Sequence, residues 1–183
     1  MKRTTLILGL SLLSSSCGYN RIQTLDEQVN GFKSQIEVQL QRRADLVPNL
    51  VQVVKGFAQQ ELAIFEEVSQ ARAQLGGAIQ SGELAQMAAA NQALSGALGR
   101  LIAIAEDNPE IQSNENFRML QDQLEGTENR ISTARQDYNN SVREYNAYIR
   151  RFPQVLTAKM IGAGPREYFE AEEGAREVPQ VQF

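Results

Sequence analysis

The sequence predicts an all-α protein, an elongated up-and-down antiparallel helical bundle. Three observations predict it. Apolar residues recur at steps of three and four over most of the chain, which is the period of an amphipathic helix. The composition is 42% hydrophobic, has no tryptophan and is rich in Ala and Gln, which suits aliphatic helix packing better than a sheet. The periodic stretches are separated only by short Gly, Pro, Ser and Asp interruptions, which suits antiparallel neighbours.

The first helix carries Leu25, Val29, Phe32, Ile36 and Leu40 on one stripe. The stripe resumes at Leu46, Leu50, Val54, Phe57, Ile64, Phe65, Val68 and Leu75. Between the two lies Gln-Arg-Arg-Ala-Asp-Leu-Val-Pro, residues 41–48. Asp45 is a good N-cap, and Pro48 then falls in a first turn, where a missing N–H costs nothing. Arg42 and Arg43 would close the preceding helix, where cations favour the negative dipole end. A break at Asp45 makes four helices. A helix continuous through Pro48 makes three.

Gly76 and Gly77 are candidate terminators of the second helix. Ser81 can cap a third, whose stripe runs Leu84, Met87, Asn91, Leu94, Leu98, Leu101 and Ile104 and stops at Asp107-Asn108-Pro109. Asn114 or Ser113 can cap the last helix, striped from Phe117 through Leu124, Ile131, Tyr138 and Tyr145 to Phe152, with Pro153 as its stop. Beyond Pro153 the periodicity dissolves. Met160, Ile161, Tyr168 and Phe169 are candidates to dock on the bundle, and residues 171–183 are expected to form a mobile tail.

The start of the chain is an address. Lys2 and Arg3 precede a short apolar run, Leu6–Leu13, then small residues and Cys17. That run is far short of the roughly 20 residues a bilayer span needs. It has the layout of a signal peptide, and small residues before a cysteine resemble a bacterial lipoprotein signal. Ser14 departs from that pattern, where an aliphatic residue is usual. The expected organisation is a signal peptide at 1–16, a lipidated Cys17 with a short tether to 23, the bundle at 24–152 and an extension at 153–183. By resemblance to the sorting rules of double-membrane bacteria, Gly18 in place of Asp after the cysteine favours the outer membrane.

Several chemistries are removed by composition. The chain has no histidine, which takes away the commonest general base and zinc ligand. Its single cysteine forms no intrachain disulfide. A net charge of −4 without a basic stripe argues against nucleic acid, and no positive patch for anionic lipid stands out. No phosphate loop and no nucleophile elbow occur. No cofactor and no metal are expected.

What remains is a set of polar residues on or beside apolar stripes. Glu61 and Arg72 fall on the core side of the second helix, and Glu128 and Arg135 lie at the edge of the stripe of the last. Thr127 and Ala134 compete for the inward places there. A carboxylate buried alone costs several kcal/mol, so inward members must pair. With Arg42, Arg43 and Asp45 they make a structural polar network. The competing reading is a paired-carboxylate catalytic or metal site, which lacks its histidines here. Tyr138-Asn139 and Tyr145-Asn146 repeat at seven residues and place both tyrosines on one face, as core or as a partner strip.

Taken together, CGYN, QTLDEQV, QRRADLVPNLVQVVKGFA, Glu61, ARA at 71–73, NFRMLQDQLEGTENRISTARQDYNNSVREYN, Phe152-Pro153 and Tyr168-Phe169 resemble the LemA family. The resemblance covers most of residues 18–169. It implies long antiparallel helices outside the cytoplasm, attached by the N-terminus. Many relatives use a transmembrane N-terminal helix, and the short signal with Cys17 departs from that. The family's role is loosely defined, with suggested links to envelope stress and membrane-bound proteases, and it supplies no catalytic residues.

The expected function is therefore a non-enzymatic scaffold or adaptor of the bacterial cell envelope. It is held to the membrane by its N-terminal lipid, faces the periplasm or the cell surface, and has envelope proteins as partners. The alternatives are a lipid-binding or membrane-remodelling bundle and a carboxylate-based enzyme.

Overall fold

The structure, a computed structural model, describes residues 2–58 and 60–169, with side chains from Gly18 onward. The side chains of the expected signal peptide, the Cys17 thiol and the chain from 170 lie outside the described residues. Six helices occur among the described residues: α1 (Lys2–Lys55), α2 (Leu62–Ser81), α3 (Leu84–Glu106), α4 (Pro109–Gln112), α5 (Glu115–Ile149) and α6 (Gln154–Met160). The secondary structure of the described residues is all helical, as the periodicity predicts.

The helix boundaries correct the sequence reading in two places. α1 runs through Asp45 and contains Pro48, as the continuous alternative has it, so Asp45 caps nothing and Arg42 and Arg43 lie in mid-helix. The break comes later, at 56–61, after Lys55 in the last turn of α1. Gly76 and Gly77 do not end α2, which continues to Ser81. Burial explains both. Ala44, Val47 and Leu50 are buried in register on either side of Pro48, and Leu75 and Ala78 flank the two glycines. Packing of an apolar face outweighs local capping and breaking preferences of about 1 kcal/mol.

The chain divides into two compact units. Unit two comprises the described parts of Ile36–Thr133 together with Phe169. Its core draws Leu40, Val47 and Leu50 from α1, Val68 and Leu75 from α2, Met87, Leu94 and Leu101 from α3, and Phe117 from α5. α2 and α3 pack on each other across a two-residue turn. There Gly82 takes φ 70, a conformation that only glycine adopts without strain, and its N–H closes α2 on the Ile79 carbonyl. α3 stops at Asp107, and Asn108 caps α4 by accepting from the Glu110 N–H. Asn114 caps α5, accepting from the Phe117 N–H at 3.1 Å.

Gly76 and Gly77 have no neighbour within 4 Å of where a Cβ would sit. Gly77→Ala is therefore expected to stabilise the protein by about 0.5–1 kcal/mol, from helix propensity and the stiffer unfolded chain. A rise in the urea midpoint at unchanged m-value checks it.

Unit one comprises the described parts of Met1–Gln35 and Ala134–Tyr168. Ile22, Leu25 and Val29 of α1 are buried in it with Tyr138, Val142, Tyr145 and Ile149 of α5. Here too the sequence reading needs correction. α5 ends at Ile149, Phe152 is exposed rather than part of the stripe, and the chain forms α6 where the apolar periodicity dissolves. Of the four candidate docking residues, Phe169 is buried, while Met160, Ile161 and Tyr168 are exposed.

The stretch after α6 is strapped down by polar bonds. The Asn146 side chain both donates to the Arg166 carbonyl and accepts from its N–H, each at 2.8 Å. The Arg166 guanidinium forks onto both Asp26 carboxylate oxygens at 2.9 Å. The Tyr138 hydroxyl donates to the Glu167 carbonyl at 2.9 Å. Burial pushes the Tyr138 and Tyr145 phenols up, and the Asp26 hydrogen bond holds the Arg166 guanidinium above its ordinary value. The tyrosines are thus neutral at physiological pH.

Candidate functional site

The two arginines of QRRADLVPNL diverge because consecutive helical residues point about 100° apart. Arg43 turns into unit two and is almost fully buried. Its Nη1 donates to Asn91 Oδ1 of α3 at 2.9 Å and pairs with the Glu128 carboxylate of α5. One side chain of α1 thereby ties α3 and α5. Burial pushes the Arg43 guanidinium down, and Glu128 opposes that shift. Arg43 Nε has no partner and is buried. Thr127 and Ala134 are buried on α5, while Glu128 reaches inward from the half-exposed edge.

A second polar link closes one residue further along. Pro48 has no N–H, so the Ala44 carbonyl four residues before it loses its helical donor. Arg72 of α2 supplies the replacement, its Nε donating to that oxygen at 2.8 Å. Arg72 is otherwise exposed, not inward as its Val68 + 4 position suggested. Glu61 also departs from expectation. It lies ahead of α2 rather than four residues after Phe57 on one helix, and its side chain makes no capping bond. Asp45 accepts from Gln41 Nε2 at 2.8 Å, a bond within one helix turn. Arg135 is half-buried on α5, in unit one.

Arg42 turns outward and lines an open groove of about 790 Å³ in unit two with Arg118, Asp122, Gly126 and Arg130 of α5. The α5 residues are spaced by four, so they form one line along the helix. Glu115 and the half-exposed Met119 complete its chemistry. Arg130 lies back over Gly126, its guanidinium 3.9 Å from where a Cβ would stand. Three cations against two carboxylates, with one thioether, make a surface suited to an acidic segment with aliphatic side chains. The sequence reading missed Arg118 and Arg130. Their spacing was visible, but only the structure places them beside Arg42. Among the described residues no group of three His, Cys, Asp or Glu side chains could hold a metal ion, and no helix is long and apolar enough to cross a membrane.

These features define a class: an all-helical protein whose charged side chains join helices or line an open groove. The chain belongs to the LemA family, whose model matches residues 33–183. It is similar to the magnetosome proteins MamQ 1 and MamQ 2 of Paramagnetospirillum magneticum, at 32% identity over 89% of this chain and 68% of each relative. It is equally similar to the magnetosome protein MamQ of Magnetospirillum gryphiswaldense, at 32% identity over the same shares.

Proposed function

We propose that the protein is a membrane-anchored, non-enzymatic adaptor of the bacterial cell envelope, an up-and-down helical bundle that receives a partner segment in the Arg42–Arg118–Arg130 groove. The groove carries this reading. It is open, of mixed charge, and walled by helices that Arg43 holds together through Asn91 and Glu128. The lipoprotein-type signal ending at Cys17 supports attachment by an acylated N-terminus. On this reading the helices lie on the periplasmic side, with the outer membrane or cell surface as their home. The MamQ relatives are magnetosome proteins, which supports a part in a cellular assembly. A second reading, direct contact with lipid, is favoured by the exposed apolar residues around α6.

The test is a photo-crosslinking residue at Gln123, on the groove wall, in the acylated full chain. The expected result is a reproducible set of envelope proteins, lost when Arg118→Glu and Arg130→Glu are combined while the helical circular dichroism is kept. An identical capture pattern from the charge-reversed chain would sink the reading. Cys17→Ser, which should move the protein to the soluble fraction, checks the anchor separately.

A further inference from the structure

We infer that the face of unit one formed by Phe152, Leu156 and Met160 is a membrane-contact surface that lies on an anionic lipid leaflet. The inference rests on reading the N-terminal end as the membrane-attached end. It adds a second, non-covalent contact whose location the anchor alone does not specify.

Three observations converge there. Phe152, Leu156 and Met160 are 81%, 54% and 86% exposed; Leu156 and Met160 lie one helical turn apart on α6, and Phe152 lies just ahead of it. The opposite side of α6 is already packed, with Ala158 buried. Large apolar side chains thus stay in water on one side of a short helix whose other side is satisfied.

Charge names the occupant. No Asp or Glu occurs between Glu144 and Glu167, whereas Arg150, Arg151, Lys159 and Arg166 do. Arg166 is engaged by Asp26. Arg150, Arg151 and Lys159 are exposed and have no ion pair among the described residues. The chain as a whole carries −4, which would repel an anionic surface. Screening decides between the two. At physiological ionic strength charges beyond about 8 Å are largely silent, so the local cations govern the approach. Cations beside exposed Phe and aliphatic side chains are the pattern of an interfacial element.

Position supplies the third observation. α6 lies against Gly18 of α1. A Cβ at Gly18 would meet Thr157 Oγ1 at 3.6 Å and the Gln154 Cγ at 3.8 Å. Gly18 directly follows Cys17, so an acylated cysteine would tether this end within reach of the headgroups. Tyr19, beside it, is also half-exposed, as suits an interfacial aromatic.

The chain has no tryptophan, so Phe152→Trp in the acylated full chain gives a single emission probe. Vesicles of phosphatidylcholine with phosphatidylglycerol should shift its emission to the blue, and brominated acyl chains should quench it. In the Cys17→Ser chain, which lacks the lipid, replacing Arg150, Arg151 and Lys159 by Gln should lower partitioning onto these vesicles on the order of a hundredfold. An unshifted emission in chains that float with the vesicles overturns the lipid contact and leaves the anchor standing. Acylated chains that fail to float overturn the anchor reading instead, and the Cys17→Ser titration then judges the contact alone. A blue shift that grows with protein concentration in the absence of vesicles means that a second copy covers this face, and overturns the inference.

Discussion

Glu128→Ala is expected to destabilise the protein by about 2–3 kcal/mol, more than Arg43→Met does. The two residues form one ion pair, but their surroundings differ. The Arg43 side chain is 7% exposed and that of Glu128 is 46% exposed. A guanidinium cannot shed its proton to escape burial. Removing Glu128 strands a buried cation whose remaining partner is the neutral Asn91 carbonyl oxygen, and whose Nε already lacks one. Removing Arg43 strands a carboxylate that water can reach. Methionine then fills much of the vacated volume, so the cost is about 1 kcal/mol. The fully buried limit of 3–5 kcal/mol does not apply to Glu128, because solvent screens it. Urea unfolding of the two variants tests the order. A larger loss for Arg43→Met would mean that packing of the arginine stem, not its charge, holds the three helices.

The same residues show what was legible and what was not. Asn91 reads only as a member of the third helix's stripe, and Glu128 as a carboxylate at the edge of the last helix's stripe. Both turn out to be partners of Arg43. Stripe positions are set by helical period, which is local, so the helices and most core residues could be read directly. Which helix meets which is not local. Arg43 finds Asn91 48 residues away, and nothing in either neighbourhood announces the match. The errors have the same origin. Asp45 and the Gly76-Gly77 pair carry end signals of about 1 kcal/mol each, and burial of the surrounding apolar residues outweighs them. The true break lies at Lys55-Gly56, where a cation in the last turn and a glycine after it gave a signal as strong as the one at Asp45. α6 was missed because its seven residues are too few for periodicity to register.

Pro48→Ala should stabilise the protein by about 1–2 kcal/mol. Proline inside a helix costs about 3 kcal/mol through its lost N–H and its ring against the preceding turn. Part of that is returned by the stiffer unfolded chain. Pro48 is exposed, so its replacement removes no core contact. Part is also offset by Arg72, whose Nε takes the Ala44 carbonyl that proline leaves without a donor. The compensation makes the two positions interdependent. Arg72→Ala is expected to cost about 1–2 kcal/mol in the natural chain, because it orphans a carbonyl in the buried Ala44 turn. In the Pro48→Ala background the alanine N–H serves that carbonyl, and the same substitution should cost less than half as much. The carbonyl keeps a second lone pair, so some of the Arg72 bond persists there. A double-mutant cycle should therefore return a coupling of about 1 kcal/mol. Additive effects would mean that Ala44 is served by water, and that Arg72 merely rests nearby. A measured coupling would give the proline a purpose: by opening the backbone of α1 at one carbonyl, it offers α2 a single point of attachment and so specifies the register in which the two helices meet.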